Sequence, residues 1–181
     1  TARLAWRTVT DELDRIDTIV KASEKLGLLN NELVTLRLAA EDFSNMEQTQ
    51  LDTALQRMTR RIAEAANGTG EAQKAIKQLG LNAEELNRIG PYKAFLQISD
   101  AIKEMNNPAD QLALAFKLFD SEGAALVTTL NKGSEALGEM MTKAQELGLT
   151  VSDEVAGGAV EATQAIRDMS KELSSFGREF A

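Results

Sequence analysis

The sequence predicts an all-α fold, a bundle of about eight helices with longer, coiled-coil-like helices at both ends. Three observations predict it. Two prolines in 181 residues fall well below the ordinary usage of roughly 5%. Apolar positions recur at three and four residues along most of the chain, the spacing that lines one face of a helix. Only residues 125–130 are enriched in β-branched side chains, and they lack the two-residue alternation of a strand.

The first helix runs from near the start to Lys25, with Ala2, Trp6, Val9, Leu13, Ile16 and Val20 on one face. It stops at Leu26-Gly27-Leu28, where glycine takes the left-handed position after a helix and the next leucine packs backwards. Asn30 or Asn31 is expected to cap a second helix carrying Leu33, Leu36, Ala40 and Phe43. Ser44 to Glu47 reads as a capping box for a third helix whose inner face is Leu51, Leu55, Met58, Ile62 and Ala65. Asn67-Gly68-Thr69-Gly70 breaks the chain before a short helix ending at Leu79-Gly80-Leu81. Asn82 with Glu85 forms another capping signal.

Gly90-Pro91 opens the next helix, since proline suits the first helical position; Phe95, Ile98, Ile102 and Met105 form its stripe. Asn107-Pro108 opens another, with Leu112, Ala115, Phe116 and Phe119 expected to face inward. A brief segment stops at Gly133. Leu137, Met140, Met141, Ala144 and Leu147 then lead to a third stop, Leu147-Gly148-Leu149, and Ser152 opens the last helix. The three Leu-Gly-Leu stops are unequally spaced, which excludes the fixed period of a solenoid. This punctuation is read as one helical domain, 1–181: an N-terminal helix (1–26), a helical core (27–150) and a C-terminal helix (151–181).

The last helix carries the most regular pattern. Val155, Ala159, Ala162, Ile166, Met169, Leu173, Phe176 and Phe180 alternate spacings of four and three, the period of a coiled-coil seam. Gly157 and Gly158 oppose it, each costing about 1 kcal/mol relative to alanine in a helix. The seam is a candidate interaction surface for self-association; packing within the domain is the plainer account of it. A chain that begins at Thr1 is read as a processed product or a piece of a longer protein.

Composition narrows the chemistry. Cysteine and histidine are both absent, which removes disulfides, thiol and Ser-His-Asp nucleophiles, and zinc sites built on thiolate or imidazole. A net charge of −8, from 20 basic and 28 acidic side chains, opposes sequence-independent binding to nucleic-acid phosphates. No apolar run approaches the ~20 residues of a membrane span. Gly68-Thr69-Gly70-Glu71 lacks the Lys-Ser/Thr ending of a phosphate loop. Asp120-Ser121-Glu122-Gly123 lacks the alternating ligands of a calcium loop. Asp11, Glu12, Asp14 and Asp17 crowd the first helix without aromatic company, and Asp153 with Glu154 suits the positive end of the last helix's dipole. Arg57, Arg60 and Arg61 share one helical face. They form a candidate basic contact for an acidic partner or nucleic acid, although Glu64 lies at the offset for pairing along the helix. No catalytic, cofactor or metal residue is assigned, and no enzyme is expected.

From about Lys21 to Phe176 the chain resembles the helical region of tail tape measure proteins of long-tailed bacteriophages and prophages. The matching pieces come in order. Leu36-Arg37-Leu38-Ala39-Ala40-Glu41 precedes a short turn, and Leu51, Ala54, Leu55 and Met58 follow it. Ala63-Glu64-Ala65-Ala66-Asn67-Gly68-Thr69-Gly70-Glu71 is similar to the family's Ala-rich helix end and Gly-x-Gly-Glu turn. Leu79-Gly80-Leu81 is followed by Glu85-Leu86. Ile98-Ser99-Asp100-Ala101-Ile102 precedes Asn107-Pro108-Ala109-Asp110, then Ala115 with Leu118-Phe119. Gly133-Ser134 with Leu137, and Ala144 with Leu147-Gly148, close the set. Departures fall at the turns: Asn45 and Glu47 replace glycine and serine, Asp120 replaces the glycine after Leu-Phe, and Thr128-Thr129 replaces Leu and Pro. Asn tolerates the left-handed conformation; the turn at Asp120 is expected to differ.

The resemblance implies a structural role. Tape measure proteins set tail length while the tube polymerises around them, and later take part in genome delivery. They act in several copies with tail tube, tail assembly chaperone and tail tip proteins, in the host bacterial cytoplasm during assembly and in the virion tail afterwards. No cofactor, specific nucleic acid or membrane contact is implied for this segment. As one continuous helix its residues reach about 270 Å; folded compactly, a radius of gyration of about 16 Å is expected. The alternatives are a cellular helical adaptor sharing the same punctuation and, more remotely, an enzyme domain of the lytic type.

Overall fold

The computed structural model describes the backbone of residues 2–179 and the side chains of 7–169 and 171. The described residues are all-α, with no strand. Ten α-helices follow in order: α1 (Ala2–Leu26), α2 (Asn30–Ser44), α3 (Gln48–Ala66), α4 (Ala72–Gln78), α5 (Ala83–Ile89), α6 (Pro91–Lys103), α7 (Pro108–Phe119), α8 (Gly123–Leu130), α9 (Gly133–Glu146) and α10 (Asp153–Glu179). A 3₁₀ turn, Asp120–Glu122, joins α7 to α8. The count exceeds about eight because segments as short as α4, α5 and α8, of seven or eight residues each, form helices of their own.

The helix stops share one geometry. Gly27, Gly80 and Gly148 have φ of 68°, 72° and 66°. After each, the leucine N–H donates to a carbonyl five residues back: Leu28 to Ser23 at 2.9 Å, Leu81 to Ile76 at 3.0 Å, Leu149 to Ala144 at 2.9 Å. These are Schellman closures, which satisfy carbonyls that the helix end leaves open. Asn45 closes α2 without glycine, at φ 54°, in the simpler left-handed motif, its N–H donating to Glu41 O at 3.0 Å. Met46 N–H then reaches Ala40 O at 3.1 Å, and the Met46 side chain is buried.

Several starts follow the expected caps. Asn82 Oδ1 accepts from Glu85 N–H at 2.7 Å, and Asn107 Oδ1 accepts from Ala109 N–H at 3.0 Å. Two do not. The residue before α2 is Leu29, not Asn30 or Asn31; the Glu32 carboxylate accepts the Leu29 N–H at 2.8 Å. The residue before α3 is Glu47 rather than Ser44, because Ser44 is the last residue of α2 and Asn45 closes that helix. Asp100, on α6, supplies a start no local pattern announces: its carboxylate accepts the Ser134 N–H of α9 at 2.7 Å.

The chain divides into two compact units, residues 1–22 with 151–181, and residues 23–150. In the larger unit α3 meets α2, α4, α5, α6 and α7, while α9 packs on α2 and α6. Leu51, Leu55, Met58, Ile62 and Ala65 are all buried, as the spacing predicts. Phe95 and Phe119 meet edge to face with centroids 5.9 Å apart. Beneath α2, Arg37 forms a fork with Asp52 at 3.1 and 2.6 Å. On α6 and α7 the Gln111 amide donates to the carbonyls of Ile102 and Met105, each at 3.0 Å.

In the larger unit two stripes differ from expectation, and in the smaller unit Val9 of the α1 stripe is exposed. On α7 the inward residues are Leu114, Ala115, Leu118 and Phe119, while Leu112 and Phe116 are 45% and 51% exposed. Apolar residues surround this helix, so spacing alone does not choose a face; contact with α3, α4 and α8 does. Leu147 is 58% exposed because it lies past the last helical residue of α9, where the closure turns the chain away.

In the smaller unit Ile16, Ile19, Val151, Ala156, Ala159 and Thr163 are buried. Asp17 is buried with them. It accepts from Lys21 Nζ at 2.6 Å and Arg167 Nη2 at 3.1 Å. The side chains of Ala2, Trp6, Leu173 and Phe176, and the whole of Phe180, expected on the terminal stripes, lie outside the described residues.

Candidate functional site

The basic face of α3 is built from Arg57, Arg60 and Arg61, one turn apart. Arg57 donates to Ser121 Oγ at 3.0 Å and to the Glu122 carboxylate. Arg61 donates to Asp120 Oδ2 at 3.1 Å, to Phe116 O at 3.1 Å and to Lys117 O. The last two are carbonyls at the negative end of the α7 dipole, where a cation is favoured. Arg60 reaches along its own helix to Glu64 at 3.4 Å. Two of the three guanidinium groups thus fasten the turn between α7 and α8 to α3. Their partners, Asp120, Ser121 and Glu122, were legible only as a rejected calcium loop. The one local signal for them was an acidic residue standing where a glycine fits the turn.

That turn has an unusual backbone. Asp120 has φ 63° and ψ −144°, a region that glycine enters freely and other residues enter under strain. Its carboxylate offsets part of that strain, accepting from Arg61 and from Ser121 N–H at 3.0 Å. Immediately after it, Gly123 starts α8 against the backbone of α7. A Cβ there would collide with the Ala115 carbonyl.

The α10 seam is divided by its surroundings. Ala159 is buried, Ala162 and Ile166 are half-buried, and Val155 and Met169 are each 52% exposed. Ala156 and Thr163, off the expected line, are buried beside Ala159. The inward face of the helix is therefore rotated toward Ala156 and Thr163, leaving Val155 and Met169 at its outer edge.

Glu12, Asp14 and Asp17 of the α1 acidic cluster are paired within their own unit. Glu12 accepts both ways from Arg15, which holds its carboxyl below the usual range. Asp17 is also held below it, chiefly by the hydrogen bond from Lys21, with Arg167 adding to the effect. Gly68 and Gly70, at φ 75° and 83°, serve a helix-to-helix turn in which Thr69 N–H closes on Glu64 O at 3.0 Å. Among the described residues no group of three or more carboxylates is placed to hold a metal ion. No helix among them is long and apolar enough to cross a membrane. No protein-family model, curated protein or solved structure matches the chain.

Proposed function

We propose that this chain is a structural, scaffold domain of a phage or prophage tail tape measure protein. In that role it contributes to setting tail length during assembly and to genome delivery. Its partners are further copies of itself, the tail tube protein, the tail assembly chaperone and tail tip proteins. It acts in the host bacterial cytoplasm during assembly and in the virion tail afterwards.

One observation carries this reading beyond the order of the motifs. Two positions where the family has glycine hold other residues here, Asn45 and Asp120. They are the two non-glycine residues with positive φ among those described. A pattern written in helix ends and turns thus falls on the backbone it would require, even where the side chain departs from it. The dense capping and the internal use of Arg57 and Arg61 also favour a scaffold over a chemical centre.

Tail particles from a phage or prophage encoding this sequence test the proposal. Quantitative mass spectrometry should find the chain in purified tails at several copies per particle. Recovery from lysates with none in the tails contradicts it. The rival reading, a cellular helical adaptor, predicts that second result.

A further inference from the structure

We propose that the outward face of α7 is a self-complementary docking surface that pairs antiparallel with the same face of a second copy of this chain. Ala109, Leu112, Ala113 and Phe116 form one exposed stripe, at the spacing that shares a helix face. Ala124 of α8 borders them, and together they line a shallow, mostly apolar groove with Lys117 at its rim.

The charges at the rim identify the occupant. Asp110 and Lys117 lie on the same flank of the stripe, two turns or about 10 Å apart. Lys117 forms no ion pair among the described residues. Asp110 uses one oxygen to accept from Asn107 at 2.8 Å, and its other oxygen is open to a cation. A two-fold axis crossing α7 near Ala113 sets each Asp110 beside the partner's Lys117, twice over. The same axis sets Phe116 of each copy over the partner's Ala109, and Leu112 beside the partner's Ala113. Large side chains thereby meet small ones and opposite charges meet, as an interface between identical copies demands. A parallel pair would instead set Phe116 against Phe116 and carry the Asp110–Lys117 flanks of the two copies to opposite edges of the interface, where they form no charge pair. A stripe of two to three turns buries less than a standard interface, so the association is weak and concentration-dependent.

The proposal makes a charge-exchange test available. The full chain is examined by sedimentation velocity from about 10 μM to about 1 mM, with circular dichroism as the check on folding. Wild type should pass from monomer to dimer across that range. Asp110→Lys and Lys117→Asp, each placing two like-charge contacts at the interface, should each weaken dimerisation about tenfold. The double exchange D110K/K117D should restore it. Phe116→Ser should abolish it with little change in melting, since that ring is half exposed. Three outcomes overturn the proposal: a wild-type chain monomeric throughout, a dimer indifferent to Phe116→Ser, or a double exchange that fails to recover. A dimer lost only on Ile166→Asp also overturns it, because that result assigns self-association to α10.

Discussion

Asp120 shows how much one residue can hold. Its φ of 63° and ψ of −144° would suit glycine, yet its carboxylate ties the turn to Arg61 and to Ser121 N–H. Backbone strain of this kind costs on the order of 1–3 kcal/mol, while a partly exposed ion pair contributes about 0–1 kcal/mol. Asp120→Gly should therefore be neutral or stabilising. Asp120→Ala, which keeps the strain and loses the contacts, should be less stable than Asp120→Gly by about 1 kcal/mol or more. Urea unfolding of the two variants measures this difference directly; equal stabilities would remove the strain from the account. The sequence marked Asp120 as out of place in a glycine position. It could not show that Arg57 and Arg61, some sixty residues earlier, close on the same turn, because pairing at that separation is set by packing.

At the scale of the element, the caps were legible and the faces only partly so. Glycine after leucine, asparagine before proline and the buried line of α3 are local signals, and local energetics decide them. The face of α7 is not local: residues 112–116 are all apolar, so neighbouring helices choose which of them turn inward. The α2 start falls one or two positions before the expected caps and the α3 start three positions after Ser44, for a related reason. Ser44 is still the last residue of α2, and Asn45 closes that helix through its left-handed backbone. Glycines inside helices separate the two kinds of control. Gly123 abuts the α7 backbone, whereas Gly157 and Gly158 face open space. Gly123→Ala should destabilise by about 1–3 kcal/mol through overpacking. Gly157→Ala and Gly158→Ala should each stabilise α10 by about 1 kcal/mol through propensity alone. Thermal melts of the three variants should move in those opposite directions.

For the whole molecule, the two units differ in how they are held. Residues 23–150 carry the broad apolar core, while among the described residues of the smaller unit a carboxylate, Asp17, is buried as Ile16 and Ile19 are. Lys21 and Arg167 hold the Asp17 carboxyl below its usual range. A carboxyl depressed in the folded state adds stability above its unfolded pKa of about 3.9, and that stability is lost as pH falls through the lower folded value. The smaller unit should accordingly loosen in acid below about pH 4. Asp17→Asn should cost about 1–3 kcal/mol at neutral pH and flatten the acid dependence of melting between pH 7 and pH 3. A variant with an unchanged acid profile would show that other carboxylates govern it.

The proposed scaffold role also belongs to the whole molecule, and sequence periodicity could not supply it. Helical periodicity reports which side chains are buried, while a role in a tail depends on partners that leave no period in this chain. What points there is the order of the turns, with Asn45 and Asp120 at backbone that glycine would fit. The most direct measurement is tail length. Residues 23–150 are deleted in frame from the protein of a phage or prophage that encodes this sequence, and its tails are measured by electron microscopy. A tape measure domain predicts tails shortened by a fixed amount, up to about 190 Å if the deleted residues are helical along the tail. Tails of unchanged length contradict the proposal.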